Sequence, residues 1–217
     1  MYKLGRLMKT ANGQLEWKGG FLFLANELAL DFLNTRPMRD GHTVELLPDF
    51  GTLLHWFRAA DLLNSREFEH FYGLWAEAAG TEKTLESIRQ FREKLRSQVL
   101  EWERGGAVRR SIIDELNRLM AQYPMRSKLD IRNGVPVKQT WFRLQKPEDL
   151  FAPLAHSAAR LFTEADRNRV RKCDQCVLHF LDRSKKGTRR WCSMQLCGNR
   201  VKVAVYAARR RIRAKVQ

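Results

Sequence analysis

Four cysteines are the residues of this 217-residue chain whose spacing speaks most directly of chemistry. They fall as Cys173-x2-Cys176 and Cys192-x4-Cys197, with fifteen residues between the pairs and no cysteine left over. Where thiols stay reduced, two close pairs read as a metal site rather than as disulfides. Zinc takes four thiolates in a tetrahedron, and such a shell leaves no open position for water or substrate. One structural Zn2+ is therefore expected, held by Cys173, Cys176, Cys192 and Cys197. A redox reading of Cys-x2-Cys needs a βαβ setting and leaves the second pair unexplained. His179 has no role in a shell that four sulfurs complete, and it reads as a packing or surface residue.

The elements around the cysteines must bring the pairs together. Val177 to Asp182 is a short apolar run with strand character, and Arg183 to Thr188 is a polar turn containing Gly187. Arg189, Arg190 and Trp191 lead back to Cys192, which predicts a hairpin with zinc at its base. Ser193 can cap a helix starting near Met194, placing Cys197 in the first turn, where the helix dipole favours a thiolate. This order is treble-clef-like, although spacing alone also admits a ribbon.

Charge marks the same module. The chain carries 40 Lys and Arg against 24 Asp and Glu, a net of +16. Residues 166–217 hold sixteen of the bases and three of the acids, a net of +13. The expected organisation is a near-neutral domain over 1–165 and a basic finger over 166–217. Such asymmetry suggests a polyanionic partner. In the last helix Val201, Val205, Ala208 and Ile212 form an apolar stripe, and Lys202, Tyr206, Arg209 and Arg213 a basic one beside it. With Lys185, Lys186, Arg189, Arg190 and Arg200 these bases are the candidate nucleic-acid contacts. Duplex DNA is the expected partner; RNA or an acidic protein is the alternative.

The first 165 residues read as mainly helical. Helices are expected over Phe21–Asn34, Pro48–Leu63, from Ser65 to Gly80, over Thr81–Arg104, Val108–Tyr123 and Pro147–Thr163. Asn133-Gly134 predicts a hairpin between 128–132 and 135–142, and Asn12-Gly13 a weaker one. The fold class is thus mainly α (α+β): helices with a small β-hairpin, then a finger with a C-terminal helix. Asp31 and Asn34, three apart on an apolar helix, are either contacts for a small polar ligand or backbone anchors for a neighbouring loop. No catalytic residue and no enzyme activity is expected, since phosphate-cradling loops and a nucleophile with its base are absent. No run reaches the ~18 apolar residues of a membrane helix, so a cytoplasmic protein is expected. Dimerisation through the N-terminal part would lengthen the DNA site.

Several segments resemble one known architecture. Arg169-Val-Arg-Lys-Cys-x2-Cys, Phe180-Leu-Asp-x-Ser184, Arg189-Arg-Trp-Cys-Ser-Met194 and Cys197-Gly-Asn-Arg200 resemble the CGNR zinc-finger family. Leu28-Ala-Leu-Asp-Phe-Leu-Asn-Thr35 resembles the opening motif of the ABATE domain that precedes such fingers. The resemblance implies a structural zinc on the four cysteines and a role in stress-induced transcription regulation. Many members continue after the last motif with a Lys-x-Arg-x-Tyr-x-x-Arg pattern. This chain reads Lys202-Val-Ala-Val-Tyr206-Ala-Ala-Arg209, one basic residue short.

Overall fold

The structure is a computed structural model and describes residues 16–39, 42–199, 202, 203 and 206. Two short hairpins flank the first helix. β1 (Glu16–Lys18) and β2 (Phe21–Phe23) pair around Gly19-Gly20, while β3 (Met38–Arg39) pairs with β4 (His42–Thr43). Between them α1 covers only Leu28–Leu33, and all six of its residues are buried. The helix expected over Phe21–Asn34 is therefore a strand, a bend and a short helix. Asn26 takes a left-handed φ of 61°, which a continuous helix cannot contain. The Asp31 carboxylate then holds the bend by accepting from the Leu24 and Ala25 N–H groups.

Five longer helices surround α1: α2 (Phe50–Ala59), α3 (Ser65–Trp75), α4 (Thr81–Glu103), α5 (Arg110–Gln122) and α6 (Phe151–Glu164). Asp49 caps α2 by accepting from Thr52 N–H. Asn64 and Glu67 form a reciprocal capping box that starts α3, and the helix ends at Trp75, short of the expected Gly80. A hairpin interrupts the helical run. β5 (Met125–Arg132) and β6 (Val135–Phe142) pair in register around Asn133 and Gly134, whose φ values of 50° and 74° suit a tight primed turn. A 3-10 turn, Pro147–Leu150, leads into α6.

The core lies where α1, α2, α4 and α6 converge. Leu30, Phe32, Leu53, Phe57, Ile88, Leu95, Leu154 and Ala158 are fully shielded there. The stripe expected on α4 is buried from Ile88 to Trp102, but one side chain on that face is charged: Arg92, 1% exposed.

The finger follows α6 through a 3-10 turn, Arg167–Arg169. β7 (Val170–Lys172) pairs with β8 (His179–Leu181), so the Cys173-x2-Cys176 knuckle is itself the hairpin turn. This corrects the expected pairing of 177–182 with the returning strand before Cys192. Both faces of this hairpin are covered: Val170, opposite Leu181, joins the N-terminal core, and Phe180 on the other face joins the cysteines. The returning segment touches the knuckle through one main-chain bond, Asp174 N–H to Arg190 C=O. Ser193 caps a wide helical turn, Met194–Gly198, by accepting from Gln195 and Leu196. The Asn12-Gly13 turn and most of the last helix lie outside the described residues.

Candidate metal centre and nucleic-acid interface

Two turns deliver the four sulfurs to one point. The knuckle supplies Cys173 and Cys176, and the Ser193-capped turn supplies Cys192 and Cys197. All four Sγ atoms lie within 4.8 Å of one another. Cys192 Sγ is 3.6 Å from both Cys176 Sγ and Cys197 Sγ, too far for a disulfide, and all four thiols are free. A tetrahedron of Zn–S bonds of about 2.3 Å has sulfur–sulfur edges of about 3.8 Å. The cluster therefore fits one structural zinc. Its charge balance points the same way. Hydrogen bonds from Cys176 and Cys192 hold the Cys173 thiol far below its ordinary range. Donation to Cys173 pushes Cys176 up to about 12 and raises Cys192 as well. Four sulfurs this close cannot all ionise without a cation between them. Backbone N–H groups of Gln175 and Leu178 aim at Cys173 and Cys176 respectively, which favours thiolates. The Arg189 guanidinium adds positive charge beside Cys192 and Cys173.

The knuckle's hairpin is docked onto α1 by hydrogen bonds. Asn34 uses its whole carboxamide: Nδ2 donates to His179 C=O at 2.9 Å, and Oδ1 accepts from His179 N–H at 2.8 Å. One side chain thus mimics a strand along β8. Leu181 N–H donates to Ala25 C=O, Arg183 to Asn26 C=O, and Lys172 N–H to the Glu103 carboxylate. Asp31 is 2% exposed, and its backbone bonds shape the bend that Ala25 and Asn26 occupy. Thr35 completes the motif by accepting from Arg92 at 2.9 Å. Removing the Asn34 carboxamide leaves a buried N–H and C=O of His179 unpaired. Asn34→Ala should therefore cost roughly 2–3 kcal/mol. Urea unfolding monitored at β8 checks this; an unchanged midpoint would remove the clamp from the account.

The candidate basic contacts separate into three groups. Lys185 and Lys186 are exposed at the finger tip and make no ion pair with a described residue. Lys202 is exposed and helical, as is Tyr206, 65% exposed. Arg189 and Arg190 are committed within the finger. Arg189 lies over the Phe180 ring at 4.5 Å and donates to Trp191 C=O, while Arg190 pairs with Asp174 at 2.7 Å. Arg200, Arg209 and Arg213 lie outside the described residues. His179 is 1% exposed, and burial beside Arg96 and Lys172 pushes its pKa down to about 3.

A cavity of about 770 Å³ opens where the finger meets the N-terminal part. Phe21, Trp56 and Leu46 line one side, Cys176 and Leu178 the other, and Asp31 and Asn34 its depth. Asp31 Oδ1 is spent on two backbone donors, and no described group donates to Oδ2. Desolvation raises its pKa from 3.8 to about 7, against the two backbone bonds that lower it.

Two polar organisers escape a sequence reading. Arg92 is buried and bridges Thr35, Glu45 and Glu93. A lone arginine at helical spacing from Ile88 and Leu95 was the available signal. Asp182, fully buried, shapes the finger turn by accepting from Ser184 N–H and Arg189 N–H. Burial alone would raise its pKa, but these bonds hold it below the usual carboxylate range.

No helix among the described residues is long and apolar enough to cross a membrane. No curated protein matches the chain. Residues 26–165 match the ABATE family, described as "Putative stress-induced transcription regulator", and residues 169–210 match the CGNR zinc finger. These are regulatory and zinc-finger families, not enzyme families. With the family match spanning most of its length and the four-sulfur cluster formed in the expected place, the chain belongs to the ABATE family and carries a CGNR zinc finger behind that domain.

Proposed function

We propose that this chain is a cytoplasmic transcription regulator that docks duplex DNA on its finger. Zinc held by Cys173, Cys176, Cys192 and Cys197 fixes the finger. Residues 1–165 act as the sensing or dimer-forming part, and 166–217 as the reader. The observation that carries the reading is the placement of Lys185 and Lys186: exposed, without an ion pair to a described residue, and on the turn that Asp182 braces through the Ser184 and Arg189 N–H groups. Lys202 and Tyr206 on the last helix extend the surface, and Arg200, Arg209 and Arg213 add charge by sequence. Arg189 and Arg190 support the tip and contact phosphate less directly. The cavity beside Asp31 and Asn34 is where a small effector would sit, since its walls come from both parts of the chain.

Phosphate contacts release counterions, so affinity must fall steeply with salt. For about five phosphates, log K against log salt should have a slope near −4.5. Replacing Lys185 and Lys186 together by glutamate should make that slope shallower by about 2. Fluorescence anisotropy on a labelled duplex from 50 to 200 mM salt measures both. Salt-insensitive binding, or equal preference for structured RNA or an acidic polypeptide, would transfer the finger to the adaptor class.

A further inference from the structure

A second cationic surface lies away from the finger. On the β5–β6 hairpin Arg126 pairs directly with Trp141, and strand alternation puts Lys128 on the same face. Arg143 follows at the end of β6. This face stands over the first turns of α3, where Arg66 and Phe71 project. Together these residues line an open cavity of about 720 Å³ floored by buried Phe142 and Leu144. Arg66, Arg126 and Arg143 are exposed and have no ion pair or side-chain hydrogen bond with a described residue. Lys128 reaches Asp130 only at 3.9 Å. Glu67, the one acid lining the cavity, receives the Asn64 N–H in the capping box. By sequence, residues 1–15 and 207–217 contain no Asp or Glu.

Such crowding of like charge stabilises nothing in the fold, and the aromatic rings beside it are half-buried, not sealed. Guanidinium forks match phosphate oxygens two at a time, and a half-open indole offers a stacking face to a planar ring. The volume lies within the usual range for a small ligand. We propose that this cavity binds a nucleotide unit, its phosphate among Arg66, Arg126 and Arg143 and its base against Trp141. The unit has two sources: a free mononucleotide, or an unpaired nucleotide of a bound strand. This site is separate from the finger and does not depend on the finger binding DNA.

The test uses the full zinc-loaded chain, titrated by calorimetry with thymidine monophosphate, thymidine, inorganic phosphate, octathymidylate and a polyglutamate peptide. The monophosphate or the octamer should bind at least tenfold tighter than thymidine or phosphate alone. Arg126→Ala should weaken that binding about tenfold, and Trp141→Ala by a similar factor. Arg126 is exposed, so its variant keeps the test valid if Trp141→Ala fails to fold. Glutamate at Lys185 and Lys186 should leave thymidine monophosphate binding unchanged, which separates this site from the finger. Tighter octamer than monophosphate binding, lost in the Arg126 variant, assigns a strand; the reverse order assigns a free effector. Equal affinity for phosphate and monophosphate, tighter binding of polyglutamate, or affinities unmoved by Arg126→Ala would overturn the proposal.

Discussion

Stripping the metal from this protein with a strong chelator should unfold residues 173–199 while the helices from α2 to α6 persist. The apolar cluster around the cysteines is small: Phe180 and three of the cysteines, with Leu24 from the N-terminal part, form its buried part. Besides their sulfurs the two turns share the Asp174 N–H to Arg190 C=O bond and an exposed Arg190–Asp174 pair, too little to hold them together without the ion. Structural zinc supplies about 10–16 kcal/mol in isolated finger peptides, and that binding energy is folding energy. The N-terminal core is separate and much larger, so helical circular dichroism should fall only slightly. Limited proteolysis should then cut at Lys185 and Lys186, and refilling with zinc should restore resistance. Cys192→Ser should reproduce the metal-free state, because this buried sulfur contacts both Cys176 and Cys197. Elemental analysis should find one zinc per chain, and well below one in the variant. A chelated protein with an unchanged proteolysis pattern would show that the metal is not what holds the finger.

Asp31→Asn should shift stability in a pH-dependent way, by about 4 kcal/mol between pH 4 and pH 8. Burial raises the folded-state pKa from 3.8 to about 7. Between those values the folded chain keeps a proton that the unfolded chain gives up, so stability falls as pH rises, by about 1.4 kcal/mol per unit. The contribution is whole below pH 4 and gone above pH 7. The amide variant has no proton to lose, and its oxygen can still accept from Leu24 and Ala25. Relative to the parent it should therefore gain with rising pH. Glu45, Glu93 and Asp182, all held below their ordinary range, pull the opposite way in acid. They are common to both proteins and cancel in the difference. Urea titrations of the pair at pH 5 and pH 8 measure it; a difference that does not change with pH would mean Asp31 is ionised throughout.

The metal centre was legible because its chemistry is written in spacing. Cys-x2-Cys forces a knuckle, and Ser193 before Met194 forces a capped turn. Periodicity was enough for α4 and α5, and Asn133-Gly134 for the β5–β6 turn. Local pattern failed where a polar side chain overrode it. The apolar density of Phe21–Asn34 fits a helix until Asp31 bends the chain at Leu24 and Ala25. It failed again at β8, whose pairing with β7 buries Val170 and Leu181 against the N-terminal core and Phe180 on the opposite face against the cysteines, a pairing that neighbouring residues do not announce. Arg189 and Arg190 are phosphate candidates by charge, and what charge does not announce is that they also contact Phe180, Trp191 and Asp174 within the finger. Of the two readings open for Asp31 and Asn34, backbone anchoring is seen in the hydrogen bonds, and the adjoining cavity keeps a ligand role compatible with it.

Asn34 also limits how the two parts of the chain can be recombined. The finger reads in sequence as a cassette, but β8 leans on α1 for two hydrogen bonds and on the Ala25–Asn26 bend for others. Grafting residues 166–217 onto a foreign helical domain would leave those polar groups facing solvent or an uncomplementary wall. A working chimera would have to carry the Leu28–Thr35 segment with it. The unit of inheritance is then not the finger but the finger with its bracket, although the two lie more than a hundred residues apart in the chain.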